Sequence, residues 1–196
     1  MIHTILSRYI GFAAVGCGLI ALVIYVLMIS VTLAHIEAVS GHVPFDMRPL
    51  GYNPKDAASL LEALRAEGRE YYLSYQLSLD TFYPAMLALT LITTFSWFGR
   101  RMPDSKLVRS GIILSVGCAF FDYFENIGIA AMIWSWPEVS SALVYAASTA
   151  TIVKSALTTL AVLLSLLTGF LWARLPKADL CPQADNGDFV RTADAH

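Results

Sequence analysis

Apolar residues fall in four long runs separated by short polar stretches. The first, residues 9–34, carries no charged side chain; the others cover about 79–98, 107–136 and 141–172. A hydrocarbon core about 30 Å thick takes roughly 20 residues of helix to cross, and each run is long enough. None shows the strict alternation of a half-buried strand. The first run is also far longer than the apolar stretch of about 7–15 residues in a secretory signal, so it reads as a retained span despite the faint lipoprotein-like Ala14-Val15-Gly16-Cys17. Trp97, Trp134, Trp136 and Trp172 stand at span ends, where the amphipathic indole prefers the interface. The expected fold is all-α: a polytopic membrane protein whose four transmembrane helices form an antiparallel bundle. Residues 1–175 then make one transmembrane domain with an outer loop and helix within 35–78, and residues 176–196 a disordered cytoplasmic tail.

Basic residues orient the bundle. The loop from Arg100 to Arg109 holds Arg100, Arg101, Lys106 and Arg109, whereas the turn around Pro137 and Glu138 has no Lys or Arg. Arg8, Arg174 and Lys177 fall on the side of the basic loop. By the positive-inside rule both ends are cytoplasmic and the long 35–72 loop is outside. A bacterial inner membrane is the expected location. Within that loop Asn53-Pro54-Lys55-Asp56 has the form of a helix start, with Asn as N-cap and Pro at the first helical position. Ala57, Leu60, Leu61 and Leu64 follow at helical spacing, predicting a short extracytoplasmic amphipathic helix. It lies on the outer membrane surface or over the bundle mouth, and Gly68 is expected to separate it from the second span.

Composition changes this picture little. Of 196 residues 57% are hydrophobic and only 14% charged, and the net charge of -2 gives no attraction for nucleic acid. The three cysteines have neither disulfide nor metal spacing. His35 and His42 alone could join carboxylates around a metal, and a histidine at a membrane interface is more often solvated; no metal site is expected.

The chemistry lies in what interrupts the spans. Asp80, Asp122, Glu125 and Lys154 are ionisable groups in apolar runs, each costing roughly 2.5–3.5 kcal/mol near mid-membrane. Asn126 adds a strong polar group. At about 1.5 Å rise per residue, Asp80 and Lys154 lie at one height, about 30 Å above the basic anchors, with Glu125 and Asp122 somewhat below. Tyr25 falls at similar depth. Helical spacing puts Ser115, Cys118, Asp122, Glu125 and Asn126 on one face of the third span, and Thr151, Lys154 and Thr158 on one face of the fourth. Gln76, Asp80, Tyr83 and Leu87 share a face of the second; Gly11, Ala14, Gly18 and Ala21 give the first a small-residue stripe leading to Tyr25. Four inward faces thus predict one polar cavity, opening toward the outer face, with Asp80, Asp122, Glu125, Asn126, Lys154, Tyr25 and Tyr83 as candidate binding residues. Lys154 is expected to pair with Glu125 or Asp122. Pro84 should loosen the helix one turn after Asp80 and free a carbonyl for the site.

The segments Leu79-Asp80-Thr81-Phe82-Tyr83-Pro84 and Asp122-Tyr123-Phe124-Glu125-Asn126 resemble the LDxxFP-like and DxxEN signatures of a loose group of small, uncharacterised bacterial four-helix membrane proteins. Here Tyr83 separates Phe82 from Pro84. The resemblance implies a fold and no activity. Familiar hydrolase, metalloprotease, prenyl-transfer and nucleotide-binding motifs are absent. Three acids against one ammonium in a low-dielectric place call for a proton, a cation or a positively charged ligand. Three function classes follow. The first binds or transports a proton, a cation or an amphiphilic ligand such as a lipid, and as a transporter it would need a homodimer. The second is an intramembrane enzyme acting on a lipid or small molecule with Asp122 or Glu125 as acid or base. The third is an assembly factor whose polar cluster specifies helix packing. No cofactor is indicated for any of them.

Overall fold

The computed structural model describes residues 2–175, with side chains from Tyr9 onward. The tail at 176–196 lies outside the described residues. Helix α1 (Ile2–Leu27) runs through a π-helical turn (Met28–Leu33) into α2 (Ala34–Ser40). A 3-10 turn at Phe45–Met47 follows, then α3 (Pro54–Ala63) and α4 (Arg65–Tyr71). A second π-helical turn (Tyr72–Gln76) joins α4 to α5 (Leu77–Gly99). Then come α6 (Lys106–Trp134) and α7 (Ser141–Arg174).

Four continuous stretches are long and apolar enough to cross a membrane: Tyr9–Ser40, Arg65–Gly99, Lys106–Trp134 and Ser141–Arg174. At about 1.5 Å per residue the shortest is roughly 44 Å long, so every span outruns a hydrocarbon core of about 30 Å. The surface is inverted relative to a water-soluble bundle. Phe12, Ile113, Phe120, Ile127 and Leu166 are exposed, while Asp80, Asp122 and Glu125 are buried. This is a multi-pass membrane protein with an all-α, four-helix bundle.

Short connections at 100–105 and 135–140 force consecutive helices antiparallel. Helix α6 packs on α5 and α7, and α1 packs on α5. The small-residue stripe of α1 serves that last contact. Gly18 lies where a Cβ would come 3.3 Å from Thr90, and Ala21 is buried. By contrast α1 and α7 make at most glancing contact, so the bundle is an open arc rather than a closed ring.

At the loop end, the protruding helix ends form a second apolar core with the 41–64 segment. Asn53 caps α3 by accepting from the amides of Lys55 and Asp56, and Asp56 accepts from the Asn53 amide in return. Ala57, Leu60, Leu61 and Leu64 are buried against Met28, Leu33, Ile36, Ile129, Met132 and Val144. The amphipathic helix therefore lies over the bundle rather than flat on a membrane surface. The expected break at Gly68 is corrected: Gly68 sits inside α4, under the Leu64 side chain, and the chain changes direction at Arg65, whose φ is 55°. A left-handed backbone at a non-glycine residue costs of order 1–2 kcal/mol, and a guanidinium gives no sequence signal for it.

Candidate functional site

Lys154 stands midway along α7 and faces α6. Its Nζ lies 2.9 Å from Asp122 Oδ1 and also pairs with Glu125 Oε2. Asp122 and Glu125 are three apart on α6, so one ammonium reaches both. One turn away on α7, Thr151 Oγ1 donates to Glu125 Oε1 at 2.7 Å. Glu125 is 0% exposed, and the Lys154 side chain only 14%. Below them Cys118 Sγ and Thr158 Oγ1 are in contact at 2.8 Å. The triad is closed on itself and satisfies two of the intramembrane acids.

Pro84 determines how α5 joins it. In a regular helix the amide of residue 84 would bond the carbonyl of residue 80, and proline has no such amide. The freed Asp80 carbonyl accepts from Asn126 Nδ2 at 2.8 Å, and the next carbonyl, of Thr81, accepts from Tyr123 Oη at 2.9 Å. The D-x-x-E-N segment therefore uses its Asp and Glu toward α7 and its Asn and Tyr toward α5.

The Asp80 side chain is left over. It is 1% exposed, and its Oδ2 has no hydrogen-bond partner among the described residues. Asp46, from the 3-10 turn of the loop, comes within hydrogen-bonding reach of it. Asp46 accepts a hydrogen bond from Tyr72 Oη through Oδ2, while its Oδ1 is likewise buried and unpartnered. The loop is held in place from α7: Ser148 Oγ accepts the Tyr52 amide at 2.8 Å, and Gly51 takes a φ of 82° at a position where any Cβ would strike Ser148. Burial pushes the Tyr52 phenol above its ordinary range, and the nearby Glu125 carboxylate adds to the effect.

These groups border a cavity of about 390 Å³. Its polar wall is Asp46, Asp80, Asp122 and Lys154; its apolar wall is Met28, Ile29, Leu33 and Leu87. Tyr25 and Tyr83 also line it, their rings 5.8 Å apart. Walls on α1 and α7 mean that the cavity lies where those two helices fail to pack, with Met47 and Pro49 across its loop end. No family model, curated protein or solved structure matches this chain.

Of the residues singled out in the sequence, Asp80, Asp122, Lys154, Tyr25 and Tyr83 border this cavity. Glu125 and Asn126 stand behind it, one holding Lys154 and the other holding α5. Sequence reasoning missed Asp46 and Tyr72. Asp46 lies in a loop whose fold-back no periodicity encodes; the one available signal was an acid beside the aromatic Phe45 in an otherwise apolar turn. It missed as well the hydrogen bond from Thr32 to Gln76 that joins the two π-helical turns.

Proposed function

We propose that this membrane protein binds an amphiphile through a head group that carries a positive charge or several hydrogen-bond donors. The observation behind this reading is the buried Asp80 carboxyl, whose Oδ2 has no hydrogen-bond partner among the described residues, on the wall of a cavity that is part polar and part apolar. With the Lys154 triad satisfied internally, Asp80 and Asp46 remain as two neighbouring carboxyls with no ion-pair partner among the described residues. Two such groups cannot both stay ionised and unpaired in a low-dielectric site. A ligand ammonium placed against the two carboxyls supplies the counter-charge.

The amphiphilic character follows from size. Ligand pockets commonly span about 300–1,000 Å³. At about 390 Å³ this cavity accommodates a head group and the start of a chain, not a whole lipid. The gap between α1 and α7 lets the remaining chain pass sideways into the bilayer. Conduction across one copy is disfavoured, because Leu91, Phe95, Phe98, Val108 and Ala161 fill the interior toward the far end. In this reading the loop end faces outward from a bacterial inner membrane, with both chain ends in the cytoplasm.

The test is titration of detergent-solubilised protein with dodecylamine, followed by thermal unfolding and native mass spectrometry. Wild type should be stabilised and retain the amine, and Asp80→Asn should lose at least about tenfold in retention, the loss expected for a charge-assisted contact worth about 1.4 kcal/mol or more. Asp80→Asn leaves the backbone carbonyl that Asn126 uses, so the bundle should stay folded. Equal retention by both proteins, or none by either, rules the reading out.

A further inference from the structure

A second cavity lies at the end of the bundle away from the loop. Its volume is about 400 Å³, and it is lined by Trp97, Arg100, Arg101 and Trp172, where α5 and α7 end. The two indole rings lie 4.6 Å apart, and the Arg101 guanidinium sits 4.5 Å over the Trp172 ring. That stacking fixes the planar group in place while leaving its edge N–H donors available. Among the described residues no carboxylate pairs with Arg101, and the Trp172 Nε1–H is buried without a hydrogen-bond partner. A buried donor left unmade costs about 1–3 kcal/mol, so a ligand acceptor reaching this N–H would be favoured.

We infer that this pocket binds the phosphate of an anionic phospholipid. The chemistry required is an oxyanion: guanidinium groups supply charge and forked donors, and the indole supplies one more N–H. The location favours a lipid over a free anion. The pocket closes the ends of two spans, at head-group depth, and its aromatic walls suit a glycerol backbone entering from the hydrocarbon side. The first turn of α6 adds Lys106 and Arg109 against the single acid Asp104 of the connection, so the local field attracts anions. Nothing here depends on the cavity at the other end.

The experiment is lipid retention in native mass spectrometry of the full chain, extracted in neutral detergent with equal phosphatidylglycerol and phosphatidylcholine. Wild type should retain phosphatidylglycerol several-fold over phosphatidylcholine. Arg101→Gln should cut that preference about fivefold, the equivalent of the roughly 1 kcal/mol that one basic residue contributes near an anionic surface. Trp172→Phe keeps an aromatic ring but removes the N–H together with the pyrrole ring, and it should weaken retention in the same direction. Arg109→Gln, at an exposed base in the first turn of α6 outside the pocket, should change it less. Equal retention of the two lipids overturns the inference. So does an Arg109→Gln loss as large as that of Arg101→Gln, which would mean diffuse attraction. Displacement of the lipid by excess inorganic phosphate overturns the lipid assignment in favour of a free anion.

Discussion

The two halves of this bundle are built on opposite terms. Toward the far end, Leu91, Phe95, Phe98, Val108 and Ala161 pack as an apolar core, and the buried hydroxyls of Ser115 and Thr168 bond their own helices. Toward the loop end the same helices turn four charged-type side chains, Asp80, Asp122, Glu125 and Lys154, and an asparagine inward, and the loop adds Asp46. In a bilayer there is little hydrophobic drive for one helix to prefer another over lipid, so packing and polar links must hold the bundle. The far half relies on packing and the loop half on links; among the described residues the loop half leaves most of the buried polar atoms without a hydrogen bond, and the far half leaves the Trp172 N–H.

The largest effect should come from breaking the link itself. Lys154→Met strands Asp122 and Glu125, and removing one partner of a buried pair costs about 3–5 kcal/mol. Thermal unfolding in detergent should show that loss, with Glu125→Gln restoring part of it in the double variant. A double variant as unstable as the sum of the two singles would mean that the groups are not coupled.

Glycine packing gives the next comparison. At Gly128, in the loop half, an added Cβ would meet the Ala147 Cβ at 2.6 Å and its Cα at 3.3 Å, so α6 and α7 must separate. At Gly111, in the far half, it would come within 2.3 Å of the edge of the buried Phe95 ring, a closer contact but with a side chain, which can turn aside without moving a backbone. Gly128→Ala should therefore cost about 1–3 kcal/mol, in the range of core overpacking, and more than Gly111→Ala. The reverse order, measured by unfolding, would place the tighter helix contact in the far half.

A smaller and more specific effect concerns Pro84. Asn126→Leu leaves the Asp80 carbonyl without a donor, at a cost of about 1–2 kcal/mol. In a Pro84→Ala background the new amide can take that carbonyl, so the same Asn126→Leu change should cost less by at least about 0.5 kcal/mol. Strict additivity would show that the proline and the asparagine do not share this acceptor.

The spans, their antiparallel order and the Lys154 pairing were legible because each rests on periodicity or on a charge that cannot face lipid. The carbonyl released by Pro84 was legible for a local reason, since proline acts on a residue four positions back. Asp46 was not, because a loop residue's partners depend on how the loop closes, and that closure is set by Gly51 and Ser148, 97 positions apart in sequence. The role of Gly68 was misread because a glycine that makes room for Leu64 and a glycine that ends a helix look alike in sequence. Glu125 was expected on the cavity wall; a face repeating every three to four residues is wide enough to hold both a wall and its backing.

The facing π-helical turns, Met28–Leu33 and Tyr72–Gln76, act as an angular offset. Each α-helical residue advances about 100° around the axis, so the wider turn at 72–76 resets the phase between the buried Gly68 and Tyr72 upstream and Asp80 downstream. Winding the same five residues as an ordinary α-helix would swing every later side chain by about a quarter-turn. Asp80 would then point away from the space it now borders, although no residue of that space had been changed. The winding of a helix in this chain is therefore also a form of aim.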